Sequence, residues 1–447
     1  MPRSTGRVHE LAARTPPGRN RVVDLVRAAA ILFVVLGHWL VVVVRLGDDG
    51  TLSGVNLLGI WPPAQPMTWV FQVMPLFFLV GGYAGAAAWI SARRSGQDGL
   101  RWLDGRLRRL LRPTTAFLLV AVSAAALARL AGVDPELVAT AGWVAGIALW
   151  FLAVYLALTA LTPLVVQADE RYGLGVPAAL AGAAAVVDVL RLSAGVPAVE
   201  LLNFVLVWLC LLALGVAWHS GRLTGSPWPP ALLAGGGLAV LVGLVALGPY
   251  PVSMVNVPGD EFHNTAPPSL ALLALGLTQA GLVLLACRAL DRLAHRPRVW
   301  LATVALNGVI LSVFLWHMVP VVAAGLLLYG TGLFPQPEPA SAQWFALRPV
   351  WVLACAVLLA GVVALVARFE RVPRQRRPPP SSGARLAGVA LGVASCCAGL
   401  ALLTVDGLST DGPAGLPLPG LAAYALGLAA ITAATRGASA HRGTGRS

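Results

Sequence analysis

The sequence predicts an all-α fold, a polytopic membrane helical bundle. Three observations carry that reading. Of 447 residues, 57% are hydrophobic and only 11% are charged, against about 25% charged in an ordinary soluble domain. Apolar runs close to the ~20 residues that cross a bilayer recur along the whole chain. The 32 basic residues are all arginine, with no lysine, and they cluster at alternate ends of those runs. A mean hydropathy of +0.78 excludes a soluble enzyme, a disordered tail protein and a coiled coil. The net charge of +13 is not a nucleic-acid footprint, because almost all of it flanks spans. An all-Arg, Ala/Gly/Leu-rich composition points to a GC-rich genome, which concerns codon supply and not function.

The elements follow in order. Residues 1–21 form a basic segment holding Arg3, Arg7, Arg14, Arg19 and Arg21. The run Val22–Val44 is longer than a signal-peptide core and lacks a small-residue cleavage site, so it is expected to stay as the first span. Further spans are expected at 67–90, 114–132, 143–165, 176–193, 200–218, 231–248, 268–287, 299–328, 347–367, 385–405 and 418–435. The ninth is long enough to tilt, break or protrude. Segment 249–267 is rich in turn formers and polar groups, and reads as a long loop. Segment 371–384 reads as a basic, Pro-rich linker. It separates a ten-helix domain over 22–370 from an additional helix pair at 385–435 and a tail at 436–447. The five cysteines, Cys210, Cys287, Cys355, Cys396 and Cys397, all fall in apolar runs without metal-ligand spacing. They are read as packing residues, with no disulfide and no metal site.

Orientation comes from the arginines. With the N-terminus, the even-numbered loops and the tail on one side, that side holds about 27 of them. The other side holds about four, namely Arg45, Arg129, Arg191 and Arg348. Acidic residues such as Asp48, Asp49, Asp260 and Glu261 lean the opposite way. This is the positive-inside asymmetry, and it places both termini in the cytoplasm.

Against that background, ionisable groups within spans stand out, because burying them in lipid is expensive. The first span holds Asp24, Arg27 and His38. At about 100° per residue, Arg27 and His38 share one helix face about 16 Å apart. Asp24 sits one turn below Arg27, within pairing distance as an i,i+3 neighbour. The ninth span brings His317 to a depth similar to that of His38. Each histidine is compatible either with a helix-packing hydrogen bond or with chemistry in the bilayer. Arg106, Arg109 and Arg112 precede the third span at three-residue spacing. They fit either phosphate recognition by guanidinium groups or simple retention of a cytoplasmic loop near anionic lipid. The loop residues Asp260, Glu261 and His263 fit either acceptor binding or a solvated surface.

The ordered combination of motifs resembles acyltransferase family 3, a family of integral-membrane enzymes. Arg27-x10-His38 is similar to its first-helix signature. Met74-Pro75-Leu76-Phe77-Phe78, followed by Gly81-Gly82-Tyr83, resembles its second helix. The run from Arg106 to Pro113 resembles its Arg-rich approach to the third. Leu149-Trp150-Phe151-Leu152 with Pro163 resembles the fourth, and Leu315-Trp316-His317 a late Leu-Trp-His segment. The resemblance covers about 22–370. Gly81 stands where many members have Ser, so no hydroxyl role is carried over.

What the resemblance implies is an O-acyltransferase in a bacterial plasma membrane. It would take an acyl group, acetyl or another short chain, from cytoplasmic acyl-CoA. It would pass that group to a hydroxyl of an extracytoplasmic acceptor: a cell-envelope glycan or polysaccharide, a lipid-linked sugar or a secreted metabolite. No permanently bound cofactor and no nucleic-acid partner are expected. His38 would serve as base or transient acyl carrier, with Arg27 and Asp24 completing the catalytic set. Arg106, Arg109 and Arg112 would hold donor phosphates, and His317 would position the acceptor or orient His38. The competing reading is a twelve-helix secondary transporter. Such a carrier would show a long middle loop and a two-half repeat, and neither is visible in the sequence. A polyprenyl-linked glycosyltransferase would want an acidic pair, for which Asp48-Asp49 is the only thin candidate.

Overall fold

The valine-rich end of the first apolar run is where helix gives way to strand. Asn20 starts the helix: its Oδ1 accepts from the Val22 and Val23 amides at 3.0 and 3.3 Å. The helix then runs over Arg21–Val41, shorter than the expected 22–44. Residues Val42–Leu46 instead pair antiparallel with Leu52–Asn56. A run of β-branched valines loses side-chain freedom in a helix and packs well on a pleat.

The structure is a computed structural model describing residues 2–16, 18–47, 52–366, 382–412 and 415–435. Asp48, Asp49, the linker as far as Ser381 and the tail at 436–447 lie outside the described residues. The described residues are 77% helical. In order, the elements are α1 (Pro2–Ala13), α2 (Arg21–Val41), β1 (Val42–Leu46), β2 (Leu52–Asn56), α3 (Leu57–Ile60), α4 (Thr68–Phe71), α5 (Met74–Arg94), α6 (Gly99–Leu130), α7 (Pro135–Gly146), α8 (Leu149–Tyr172) and α9 (Gly175–Ala194). Then come α10 (Asn203–His219), α11 (Trp228–Leu247), α12 (Leu270–Leu285), α13 (Cys287–Ala294), α14 (Pro297–Gly308), α15 (Ile310–Trp316), α16 (Val319–Ala324), α17 (Ala342–Val366), α18 (Gly383–Asp406) and α19 (Leu418–Thr435). Among the described residues ten helices are long and apolar enough to cross a membrane, or up to twelve if two bent pairs each count as one span. The protein is a polytopic helical bundle, and the β-hairpin is its only sheet among those residues.

The bent pairs have local causes. Helix α12 turns by 63° into α13, where an apolar run yields to Arg288, Asp291 and Arg292. An amphipathic segment of that kind lies along an interface rather than across it. The expected ninth span is broken instead of continuous: α14 and α15 meet at 60°, beside Gly308, a poor helix former. A second interruption follows at His317 and Met318, before Pro320 in α16.

The chain forms two compact units, residues 1–88 with 161–369, and residues 89–160 with 370–447. In the first, α5 and α10 touch backbone to backbone. A Cβ at Gly82 would overlap the Leu212 carbonyl oxygen, and one at Gly215 would overlap that of Leu79. The loop between α11 and α12 is tied down by side chains. Thr68 Oγ1 accepts from the Met254 amide at 2.8 Å, and Tyr250 donates to Asp188 at 3.0 Å. Asp188, buried in α9, also accepts from Asn203 Nδ2 at 2.9 Å and the Leu270 amide at 2.6 Å. In the second unit the C-terminal pair α18–α19 packs on α6 to α8. The Tyr424 hydroxyl donates to the Leu111 carbonyl at 3.2 Å, and Cys397 Sγ meets the Ala153 carbonyl at 3.1 Å. All five cysteines are free thiols.

Candidate active site at a histidine pair

Helix α2 presents His38 from its last turn, and the interruption between α15 and α16 presents His317. Sequence separation between them is 279 residues, yet His317 Nε2 lies 3.1 Å from His38 Nδ1. Their ring centroids are 4.9 Å apart, tilted by 46°. His317 is fully buried, at 0% exposure, while His38 is half-buried.

The protons of this pair follow from its acceptors. His317 Nδ1 sits 2.7 Å from the Phe314 carbonyl oxygen, which can only accept, so Nδ1 carries hydrogen. In a neutral imidazole the other nitrogen then holds a lone pair. His38 Nδ1 must therefore donate to His317 Nε2, and it also faces the Val34 carbonyl at 3.0 Å. That leaves the lone pair of His38 on Nε2. Every polar contact of the His38 ring recorded among the described residues is made by Nδ1, and Nε2 is available to a reacting group.

The surrounding frame is indole. Where a helix breaks, carbonyls lose their amide partners. Trp39 Nε1 takes the carbonyl of His317 at 2.7 Å. Trp351 Nε1 on α17 in turn donates to the Trp39 carbonyl at 2.9 Å. One turn away, buried Arg348 donates to the Val42 carbonyl at 3.1 Å, with its guanidinium carbon 3.6 Å from the Trp344 ring centroid. Three helices are thus pinned around the imidazoles by hydrogen bonds that allow little choice of register. Trp39, Trp351 and Arg348 carry no sequence pattern of their own. Only their adjacency to His38 and to the last core span hinted at them.

At the other end of the same helix face, the charged foot holds a second partner besides the expected i,i+3 pair. Asp24 is buried, and Arg27 reaches it only at 4.0 Å. Its closer partner is Arg19, which grips both carboxylate oxygens from the segment before the helix. That contact keeps the Arg19 guanidinium more firmly protonated than usual. Asn307 of α14 donates to the Asp24 carbonyl oxygen at 2.9 Å, fixing the foot against the ninth span. Arg19 was visible in the sequence as a basic residue, but it lies outside the helix periodicity that pairs Asp24 with Arg27.

Arg106, Arg109 and Arg112 all lie on α6, in the second unit. Arg106 lies 5.7 Å from the Trp102 ring centroid. Their unselected neighbour Arg108 is committed to Asp104, at 2.8 Å to each oxygen. The loop residues Asp260 and Glu261 are exposed and His263 is half-buried. No group of three or more His, Cys, Asp or Glu side chains suited to a metal ion occurs among the described residues.

Fold and site together define an integral-membrane protein that holds a pair of contacting imidazoles inside its helical bundle. A family model described as an acyltransferase domain matches residues 20–368, so the chain belongs to acyltransferase family 3. It is a membrane acyltransferase, and not the secondary transporter of the competing reading. No curated protein and no solved structure matches it.

Proposed function

We propose that the chain is an O-acyltransferase of the plasma membrane, with both termini in the cytoplasm. It moves a short acyl group from cytoplasmic acyl-CoA to a hydroxyl of an extracytoplasmic acceptor, such as an envelope glycan, a lipid-linked sugar or a secreted metabolite. The observation that carries this reading is the proton arrangement of the histidine pair, which leaves a lone pair on Nε2 of half-buried His38. An alcohol is a weak nucleophile at neutral pH, and a positioned imidazole supplies about 10²–10⁴-fold by removing its proton. The acceptor hydroxyl attacks the thioester carbonyl while His38 Nε2 takes the proton. The C–S bond then breaks, and the same proton returns to the CoA sulfur. His317 accepts from His38 Nδ1 throughout, holding the ring and favouring its charged form. Arg27 and Asp24 guide the donor along the helix face below. Arg106, Arg109 and Arg112 form a basic rim that attracts a polyanionic donor.

The same Nε2 lone pair is competent to attack the thioester itself, forming an acyl-imidazole. Incubation with radiolabelled acyl-CoA in the absence of acceptor separates the routes: a protein-bound, hydroxylamine-labile acyl group marks the covalent one. The reading as a whole is tested by His38→Ala, which is expected to abolish acyl transfer in a protein that still inserts and elutes as the wild type. Wild-type turnover by that variant would overturn the assignment.

A further inference from the structure

Within the first unit, a cavity of about 820 Å³ opens at the end that carries the N-terminal segment. This volume lies in the ~300–1,000 Å³ range of small-molecule sites. Its composition is unlike the rest of an apolar bundle. Arg19 enters from the segment leading into α2, Arg21 from the first residue of α2 and Arg288 from α13, and Tyr83, Trp218 and His219 also line it. Three guanidinium groups face a single carboxylate, Asp291, which His295 already holds at 3.4 Å.

The guanidinium groups are not equally free. Arg19 is taken by Asp24. Arg21 lies with its guanidinium carbon 4.7 Å from the Trp300 ring centroid, a contact that neutralises none of its charge. Arg288 is exposed and forms no ion pair with any described residue. Arg21 and Arg288 thus both bring positive charge to the lining of one cavity, and a fork of N–H donors suits phosphate oxygens. The aromatic lining is ordered: Tyr83 packs edge-on against Trp218 at 4.9 Å and against His219 at 5.0 Å. The close approach of α5 and α10 at Gly82 and Gly215 fixes that wall. Asn20, Arg21 and Val22, at the start of α2, also line the cavity, and Arg27 and His38 lie further along that same helix.

We infer that this cavity holds the phosphorylated adenine nucleotide of the donor, with Arg21 and Arg288 on phosphate and the Tyr83–Trp218 wall beside the base. This rests on the acyltransferase reading with a CoA donor, and it makes the nucleotide a requirement. Acyl groups on a bare pantetheine thioester or a carrier protein are poor donors. The rim at Arg106, Arg109 and Arg112 then attracts the donor without seating it.

The test is equilibrium binding of CoA, dephospho-CoA and pantetheine to the full-length protein, in neutral detergent and in bilayer discs with and without phosphatidylglycerol. For the wild type, affinity should fall from CoA to dephospho-CoA to pantetheine, a comparison that needs no variant. Arg288→Ala and Arg21→Ala should each weaken CoA about tenfold or more, the scale of a charged hydrogen bond. Arg288→Lys should fall between, and Arg292→Ala, one turn beyond Arg288 and not lining the cavity, should bind as the wild type does. If the wild type binds CoA but Arg288→Ala and Arg21→Ala bind it equally well, the cavity assignment fails while the acyltransferase reading stands. A wild type with no CoA affinity sinks the donor reading, and the cavity assignment with it. Dependence on Arg288 only in discs containing phosphatidylglycerol would assign the cavity to a lipid headgroup and overturn the inference.

Discussion

Replacing His317 tests the proton arrangement of the site more sharply than replacing His38. The side chain is fully buried and accepts from His38 Nδ1 at 3.1 Å. When His38 takes up the substrate proton, that contact becomes a hydrogen bond from a charged donor, worth about 1.5–3 kcal/mol. At about 1.4 kcal/mol per decade of rate, His317→Ala should lower kcat about 10- to 150-fold. KM for the donor should change little, because the contact strengthens only as charge develops. His317→Gln keeps a carbonyl that can accept from Nδ1, and it should recover a large part of the loss. The assay is steady-state acyl transfer at saturating donor and acceptor, on protein shown by size-exclusion elution to be folded. Residues that act as a unit are non-additive. In the His38→Ala background, His317→Ala should therefore cost almost nothing further. A wild-type kcat for His317→Ala would refute the reasoning. So would a full, independent loss in the double variant, since His317 would then be acting on something other than His38.

Three further outcomes follow from the same geometry. Gly82→Ala forces a methyl into the Leu212 carbonyl; overpacking costs typically about 1–3 kcal/mol, so the thermal midpoint should drop, and an unchanged midpoint would mean that α5 and α10 separate freely. Trp351→Phe removes the donor to the buried Trp39 carbonyl, at about 1–3 kcal/mol for the unpaired group, and both stability and kcat should fall. Arg106→Ala combined with Arg109→Ala should raise the donor KM with kcat retained, as expected for residues that attract a polyanion; an unchanged KM would leave them a topological role.

The apolar runs and the bundle class were legible because hydropathy is a property of consecutive residues. So was the shared face of Arg27 and His38, since helical rise and turn are local. The end of α2 at Val41 was missed because valine favours strand only when a partner strand is near, and Leu52–Asn56 supplies one. Asp188 passed unnoticed as a lone acid in α9, although its three partners make it an anchor for the loop between α11 and α12. The capture of Asp24 by Arg19 was missed because the chain before a helix follows no period.

From sequence alone came a membrane chain, an arginine-marked face, and two histidines at matching depth in the first and ninth spans. Such features depend on composition and on helical geometry that neighbouring residues set among themselves. Whether the two imidazoles meet depends on how α2, which the distant α17 holds through Trp351, packs on the broken span α14–α16. The same packing selects the nitrogen of His38 that keeps its lone pair. It also gathers Arg21, Arg288 and the Tyr83–Trp218 wall, which are far apart along the chain, around one cavity. Contacts at that separation are decided by tertiary structure, because no local rule of spacing or charge connects their ends.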